Sequence, residues 1–543
     1  MDAHSAYIPM DRRHSLVRGV SLPDQTKGAA FFADISGFTP LTEALLRQFG
    51  PKRGAEELSR LLNEIYDALV GQVHRYGGSV LAFSGDAITC WLDGDNGLRA
   101  TACGLAMQQA MDQFAAITIA SGDTVSLAMK VGIATGWVRR FMVGDPSVQY
   151  IDTLAGTPLD VMVDAEHHAE KGEVVVSPRV IANISGAVEM AEWRGDEDYR
   201  FGVVARFKDP GQAARLATPW PPPAADAIPE VEAQSWVLPP VHARLRAGQG
   251  EFLAELRPAV SLFLSFGGLD FDNDPRVGDK LDAYVRWVQN VLLRYEGFLL
   301  QLTIGDKGCY LYSAFGAPVA HEDDAIRAVS AALELIQPPA GLDYITDSKI
   351  GISQGQMRTG AYGGTKRRTY GELGDEVNMS ARLMQAARPG QILVKDTVWQ
   401  ATKDTFLGEP LPPFTVKGKT EPVTVYSATG LNIRSASRLQ AVKYALPMVG
   451  REAELEAILQ NMGQALAGQG RIVAVIADAG MGKSRLVAEV IRLASERQLL
   501  AYGGAGQSYG TNISYLVWQP IWQALFNVDP TGDEAAQIES VRA

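Results

Sequence analysis

KVGIATG at residues 130–136 and KIGISQG at residues 349–355 are two versions of one phrase, 219 residues apart. The spacing continues beyond it. GEVVVSPRVIA, starting at Gly172, faces GQILVKDTVWQ, starting at Gly390, and LAGTPLDVMVDA around Gly156 faces ELGDEVNMSARL around Gly374, both at an offset of 218. Nearer the starts, AAFFADISGF (29–38) faces VSLFLSFGGL (260–269) at 231. Self-similarity held over such a span predicts two copies of one domain. The fall from 231 to 219 makes the second copy shorter in its first helical region.

Within the first copy, Leu58, Leu61, Leu62, Ile65, Leu69 and Val73 recur at the spacing of an amphipathic helix, entered near Pro51 and stopped by Gly77 and Gly78. Strands are predicted at 28–35, 79–83, 87–92 and 126–136, each short, β-branched or aromatic, and bounded by turn residues. This is α/β alternation. The turn between SVLAF and AITCWL carries Gly85 and puts Asp86 at a hairpin tip, while the 28–35 strand leads to Asp34 at a similar edge. These carboxylates, 52 residues apart in sequence, are candidates to converge on a divalent cation, which takes hard oxygen ligands.

The chain has 543 residues and a net charge of -12, enough length for several cores and too acidic for broad capture of nucleic acid or an anionic membrane face. No apolar run approaches the ~18 residues of a membrane span, and the N-terminus has no signal-like apolar stretch. A cytoplasmic protein without nucleic-acid partners is expected. Cys90, Cys103 and Cys309 lack metal-like spacing and read as reduced and structural, and the adjacent His167 and His168 read as surface residues. The Pro-rich stretch 217–230 reads as a linker. The chain thus divides into an N-terminal segment (1–26), a first copy (27–205), a connection (206–255), a second copy (256–430), a linker (431–447) and a third module (448–543).

FADISGFTPLTE (32–43) with FSGDA (83–87), and GELGDEVNMSAR (371–382), resemble the class III nucleotidyl cyclases. Tandem copies followed by a phosphate-binding module are similar to the soluble adenylyl cyclase branch of that family. The resemblance covers roughly 27–205 and 256–430. It implies an α/β (α+β) architecture of two ferredoxin-like cyclase domains paired as a pseudo-heterodimer, and conversion of ATP to 3′,5′-cyclic AMP and pyrophosphate. It also implies two Mg²⁺ ions, replaceable by Mn²⁺, held by Asp34, Asp86 and the Ile35 main chain. Backbone N–H groups of Ser36, Gly37 and Phe38 would meet the phosphates, and Lys130 the terminal ones. In the second copy Asn378 would orient the ribose and Arg382 would stabilise charge on the α-phosphate. Four residues apart, the two share a helix face.

The repeat carries an argument independent of the family. Asp34 faces Ser265 and Asp86 faces Gly305, while Asn378 faces Asp160 and Arg382 faces Asp164. The losses are complementary, so a head-to-tail pairing leaves one complete cleft and one degenerate cleft. Departures fall at the base-reading positions, where Gln301 and Gly371 stand, with Glu372 adjacent. Gln donates and accepts, which keeps a guanylate or relaxed-specificity cyclase open as an alternative. A silent nucleotide-binding sensor that regulates the third module is a further alternative.

That module contains RIVAVIADAGMGKSRL (471–486), read as strand, Gly-rich turn and helix, the start of a P-loop NTPase domain. Gly480, Gly482, Lys483 and Ser484 fit the phosphate loop, with Ala477 at its usual leading Gly. No apolar strand ending in Asp follows, so a second bound nucleotide is expected and its hydrolysis is not.

Mammalian soluble members of the family admit bicarbonate to the degenerate cleft through a Lys and an Arg, where this sequence has Ala82 and Val163 beside Asp160 and Asp164. An anion meets no cation there. Bicarbonate added at constant pH is therefore expected to leave cyclase activity unchanged, and a severalfold rise would contradict it.

Overall fold

A computed structural model describes residues 4–118, 124–196, 199–221, 228–248, 255–305, 308–414, 422–432, 448–477, 482–504, 515, 517–526, 528 and 534–542. It separates into two compact units, Met1–Ala401 with Glu409–Ala428, and Thr402–Gly408 with Thr429–Ala543.

The first unit holds two sheets of identical strand order. One runs Ser79–Ser84, Ala87–Asp93, Gln25–Ser36, Ala128–Val143, Val174–Val176, Tyr199–Phe207, Val188–Asp196. The other runs Phe298–Gly305, Gly308–Phe315, Glu255–Gly267, Thr346–Tyr362, Ile392–Lys395, Val423–Leu431, Phe406–Phe414. In each, a short strand, Ile151–Ala155 or Thr369–Leu373, pairs with the long fourth one. Asp34 lies opposite Lys130 and Ser265 opposite Lys349, so the two seven-residue phrases occupy the same place in two sheets.

Among the strand pairs whose register is described, neighbours are antiparallel except where Ala128–Val143 meets Val174–Val176 and Thr346–Tyr362 meets Ile392–Lys395. A parallel pair needs a crossover. The helices Thr157–His167 and Asp375–Ala386 lie in those crossovers, which positions Asp160 and Asp164 in one copy and Asn378 and Arg382 in the other.

Alternation along Gln25–Ser36 sorts its side chains between two layers. Ala29, Phe31, Ala33 and Ile35 join the cluster that buries Leu58, Leu62, Ile65, Leu69 and Val73. Ala30 and Phe32 face Leu159 and Met162 instead, and Asp34 shares their side of the strand. The amphipathic helix buries the expected face but begins earlier than Pro51. It spans Phe38–Arg75 and bends at Gly50, whose φ is 76°. Leu41 and Leu45 extend the apolar face upstream, and Pro51 is tolerated because it follows the break. In the second copy the corresponding helix is Val277–Arg294, without that first arm. This accounts for the shorter repeat.

The copies clasp each other through exchanged arms. In the arm of the first, Gly144 N–H donates to Asp282 Oδ1 at 2.8 Å and Asp145 N–H to Gln289 Oε1 at 2.7 Å, both on the Val277–Arg294 helix. The arm of the second answers with Thr365 N–H to Asp67 Oδ1 at 2.6 Å and with Arg358 to the Ser59 hydroxyl, on the Phe38–Arg75 helix.

Two segments read as termini or linker are part of this packing. The Met10–Arg18 helix brings Asp11 to Arg140 and Arg12 Nε within 3.0 Å of Asp152 Oδ2, while Arg140 Nη2 lies 2.7 Å from the same Asp152 oxygen. Arg13 donates to the Lys366 carbonyl at 2.7 Å, and Arg368 N–H to the Ala6 carbonyl at 2.7 Å, which ties the segment to the second copy. Beyond its prolines the connection is not a plain spacer: Val237, Leu238, Val241 and Leu245 pack with Tyr7, Phe263, Phe298 and Tyr312.

In the second unit the helices Glu452–Leu466, Lys483–Glu496, Trp518–Leu525 and Glu534–Arg542 are described. The stretch 471–477, expected as a strand, has no strand pairing among the described residues, and Ile472 and Ile476 are exposed. A strand requires a hydrogen-bonded neighbour, which its own β-propensity does not supply. Among the described residues no helix is long and apolar enough to cross a membrane. Cys90, Cys103 and Cys309 are free and buried.

Glu372 is fully buried in the second copy, where the Tyr312 hydroxyl donates to Oε2 at 2.9 Å and Oε1 has no partner among the described residues. Burial pushes its carboxyl up to about 8; the Tyr312 bond pulls the other way and the charge of Asp324 adds to the rise.

Asp152→Ala leaves Arg12 without its carboxylate and Arg140 with Asp11 alone, and is expected to cost about 3–5 kcal/mol. Asp24→Ala, which removes the exposed partner of Arg139, is expected to cost under about 1 kcal/mol, both read from urea unfolding. For Glu372 the unfolded chain ionises near 4.5 while the folded chain keeps its proton to about 8, so its contribution is lost as pH rises across that window. Glu372→Gln is expected to gain stability relative to the parent between pH 5 and pH 8, measured by unfolding at both.

Candidate active site

Strand pairing brings the two acidic side chains of the first copy together. Asp34 sits opposite Ala87, and Ile35 N–H donates to the Asp86 carbonyl at 3.3 Å, which draws the hairpin turn against the strand end. Gly85 takes φ 69°, and the Tyr66 hydroxyl donates to its carbonyl at 2.6 Å, pinning the tip to the long helix. Burial pushes the Asp86 carboxyl up to about 7, and the charge of Asp34 adds to the shift. Two such charges close together repel each other, and a cation relieves that repulsion. The Ile35 side chain is in the core, leaving its main chain for the site.

Past Ile35 the chain turns through Gly37 into the helix that starts at Phe38. Gly37 has φ 98°, and a Cβ there would lie 2.4 Å from the Ser126 carbonyl, so both conformation and space call for glycine. Ser36, Gly37 and Phe38 thus stand at a helix N-terminus, where unpaired N–H groups favour an anion. Lys130 is the cross-strand neighbour of Asp34, and its Nζ lies 4.0 Å from Glu166 Oε1. Among the described residues there is no group of three or more His, Cys, Asp or Glu arranged to hold a metal.

Asn378 and Arg382 are set by the opposite face of their helix. Met379, Ser380 and Leu383 are buried, the Ser380 hydroxyl donates to Ser261 Oγ at 2.8 Å, and Lys395 Nζ lies 2.6 Å from Glu376 Oε1. With that face fixed, Asn378 is exposed and Arg382 half-buried. Neither makes a hydrogen bond or ion pair among the described residues.

A pocket between the copies is lined by Gln301, Gly371, Tyr312 and Tyr362 of the second and by Ala82 and Phe83 of the first. The β-bulges between Val80 and Ala82 and between Leu299 and Gln301 coincide, so Gln301 and Ala82 are structural equivalents. Glu372 does not join Gly371 there: neighbours on a strand point to opposite faces, and Glu372 is turned inward onto Tyr312.

The pairing of Asp86 with Gly305 needs correction. Ser84 pairs with Ala87 across two turn residues, whereas the equivalent Thr303 pairs with Tyr310 across six, so Asp86 has no single counterpart. There the strands run on for two more pairs, Ile304 with Cys309 and Gly305 with Gly308, and Asp306 lies outside the described residues. Asp160 and Asp164 are exposed, and the charge of Asp160 is felt at Cys309 of that hairpin, so the degenerate cleft is acidic.

Tyr66, Ser84 and Arg367 were not legible as site residues. Arg367 is buried and donates to the carbonyls of Val80 at 3.0 Å and Leu81 at 2.9 Å, and its part depends on contacts between copies that one sequence does not display. In the second unit Gly482 takes φ 83° ahead of the Lys483–Glu496 helix, Lys483 Nζ donates to the Ala477 carbonyl at 2.7 Å, and Ser484 is exposed. Gly480 lies outside the described residues.

Residues 23–202 and 301–429 match the family described as adenylate and guanylate cyclase catalytic domain, and residues 447–543 match the AAA ATPase domain. Adenylate cyclase type 10 of Rattus norvegicus is 26% identical over 506 residues, covering 87% of this chain and 31% of that protein. The Homo sapiens protein of the same name is 24% identical over 508 residues with the same coverage. The chain thus spans about a third of the length of these curated relatives. Among solved structures, a class III adenylyl cyclase-like ATP-binding protein from Pseudomonas aeruginosa aligns over 72% of this chain and 93% of that one at 14% identity and TM-score 0.49. The adenylyl cyclase CyaB from P. aeruginosa aligns over 32% and 95% at 22% identity and TM-score 0.30. The chain belongs to the adenylate and guanylate cyclase catalytic domain family, with tandem cyclase domains followed by an AAA-type ATPase domain.

Proposed function

We propose that the two copies together convert ATP to 3′,5′-cyclic AMP and pyrophosphate in the cleft that joins Asp34 and Asp86 to Asn378 and Arg382. The observation that carries this reading is the division of labour: one copy supplies converging carboxylates beside a helix N-terminus, the other an uncommitted amide and guanidinium on one helix face.

In the reaction the ribose 3′-oxygen bonds to the α-phosphorus, the bond from that phosphorus to pyrophosphate breaks, and the 3′-hydroxyl proton is lost. Asp34, Asp86 and the Ile35 carbonyl fit a pair of Mg²⁺ or Mn²⁺ ions, since half-buried, mutually repelling carboxylates are hard donors that gain from a divalent cation. When bound, such ions supply activation of the attacking oxygen and neutralisation of the departing phosphates. The chain's own groups do the rest. Backbone N–H groups of Ser36, Gly37 and Phe38 bind phosphate oxygens, and Lys130, held near by Glu166, adds a positive charge for the terminal phosphates. Asn378 orients the ribose so that the 3′-oxygen is in line, and Arg382 stabilises charge on the α-phosphate as it passes through five-coordination. Gln301 and Gly371 border the base. At the separate unit, Gly482, Lys483 and Ser484 bind the phosphates of a second nucleotide.

The test is product formation by the full chain from ATP or GTP with Mg²⁺ or Mn²⁺. Cyclic AMP is expected from the parent, with a loss of about 10²-fold or more in Asp34→Ala and in Arg382→Ala. Nucleotide bound without any cyclic product would replace the enzyme reading with that of a sensor. Lys483→Ala is expected to remove one of two bound nucleotides in equilibrium dialysis while cyclase turnover persists.

A further inference from the structure

The strand Ser79–Ser84 leads into the Gly85–Asp86 turn and lies at the edge of its sheet, beside Ala87–Asp93. Its pairing is interrupted. Val80 faces Cys90 and Ala82 faces Thr89, so Leu81 is the extra residue of a β-bulge. An edge strand presents unpaired carbonyls to whatever lies beside it, and a bulge disrupts the ladder that would hold its register.

The second copy takes hold of those carbonyls. Arg367 Nε donates to the Val80 carbonyl at 3.0 Å and Nη2 to the Leu81 carbonyl at 2.9 Å, one planar fork across the bulge. The guanidinium is buried, forms no ion pair among the described residues, and lies 5.6 Å from the centre of the Phe83 ring. Burial pulls it down to about 10, against the charges of Asp152 and Asp11. The same arm closes on Phe83: Tyr362 meets the ring edge-on at 5.9 Å, and a Cβ on Gly363 would come within 2.7 Å of it. Only Ser84 separates Phe83 from the turn that carries Asp86.

The other hairpin supplies the comparison. Its edge strand Phe298–Gly305 has a bulge at the same place, with Leu300 as the extra residue. Arg367 stands two residues before the short strand Thr369–Leu373, and the residue two before the matching strand Ile151–Ala155 is Gln149. Gln149 Nε2 donates to the Trp236 carbonyl at 3.3 Å and to no carbonyl of the Leu300 bulge among the described residues. The fork thus grips the hairpin that ends in Asp86 and is missing from the hairpin whose sheet has Ser265 in place of Asp34.

We infer that Arg367 is a positioning residue for the cation site: its fork on Val80 and Leu81 sets the place of Asp86 beside Asp34, so that docking of the second copy holds the first copy's carboxylates for a divalent cation. The inference rests on the reading of Asp34 and Asp86 as cation ligands. It adds that a residue of the other copy, itself unable to ligate a metal, governs the affinity. Charge alone predicts the opposite sign, because taking a positive group away from two carboxylates leaves them better cation ligands. Loss of position leaves them worse.

Mn²⁺ binding to the full chain, followed by electron paramagnetic resonance with 3′-deoxy-ATP present, tests this without turnover. The bound Mn²⁺ that disappears in Asp34→Ala is the cleft component. Its apparent Kd is expected to rise about tenfold in Arg367→Gln, which installs the residue of the other arm, and in Arg367→Lys, which keeps the charge and loses the fork. In the cyclase assay both variants are expected to regain most of the parent rate at saturating Mn²⁺, a rescue that a general loss of folding does not show. An unchanged or lowered Kd in Arg367→Gln, whatever its melting temperature, overturns the inference and leaves the cation reading intact. If Arg367→Gln fails to fold, Arg367→Lys decides by the same criterion. A parent without a component that depends on Asp34 removes the cation reading and the inference with it.

Discussion

The candidate site exists only while the two copies are held together, and the charges that hold them are buried. Asp11, Arg12, Arg140 and Asp152 meet where the N-terminal helix crosses the first sheet, and the same helix reaches the second copy through Arg13. Charges taken from water at this cost persist because each is matched by an opposite one. Removing any one of them leaves the others without a solvent to return to. The exchanged arms add main-chain bonds at two further points, so the angle between the sheets is determined at several places at once.

Duplication explains why one cleft can decay without loss to the other. In a symmetric pair every substitution is made twice and spoils both clefts. Here Ser265 has replaced a carboxylate on one sheet, and Asp160 and Asp164 stand on the other where Asn378 and Arg382 have their equivalents. The acidic cleft that results has the wrong sign for a triphosphate.

Much of this was legible because it is periodic. The repeat, the strands around Asp34 and Asp86, and the apolar face from Leu58 to Val73 are patterns that one sequence displays. What was not legible depended on contact between segments far apart. The helix reads as entered near Pro51 because proline favours the first position of a helix, yet Gly50 absorbs the bend and lets the helix begin at Phe38. The connection after the prolines was read as spacer, although Trp236 and Val241 are buried. Glu372 looked like a base reader from its place beside Gly371, and strand alternation turned it inward. The hairpin equivalence failed because the strands of the second hairpin run two pairs further before they turn, a lengthening that changes no hydrophobic pattern.

The packed connection has a consequence for how such a cleft responds to dilution. Where cyclase copies are separate chains, the complete cleft forms at a rate and extent set by protein concentration. Here the second copy is tethered and its tether is itself folded onto Phe263 and Tyr312, so each copy meets a partner at a fixed effective concentration, far above that of any free chain. A cleft between the copies is then a property of the single chain, and its assembly does not depend on protein concentration.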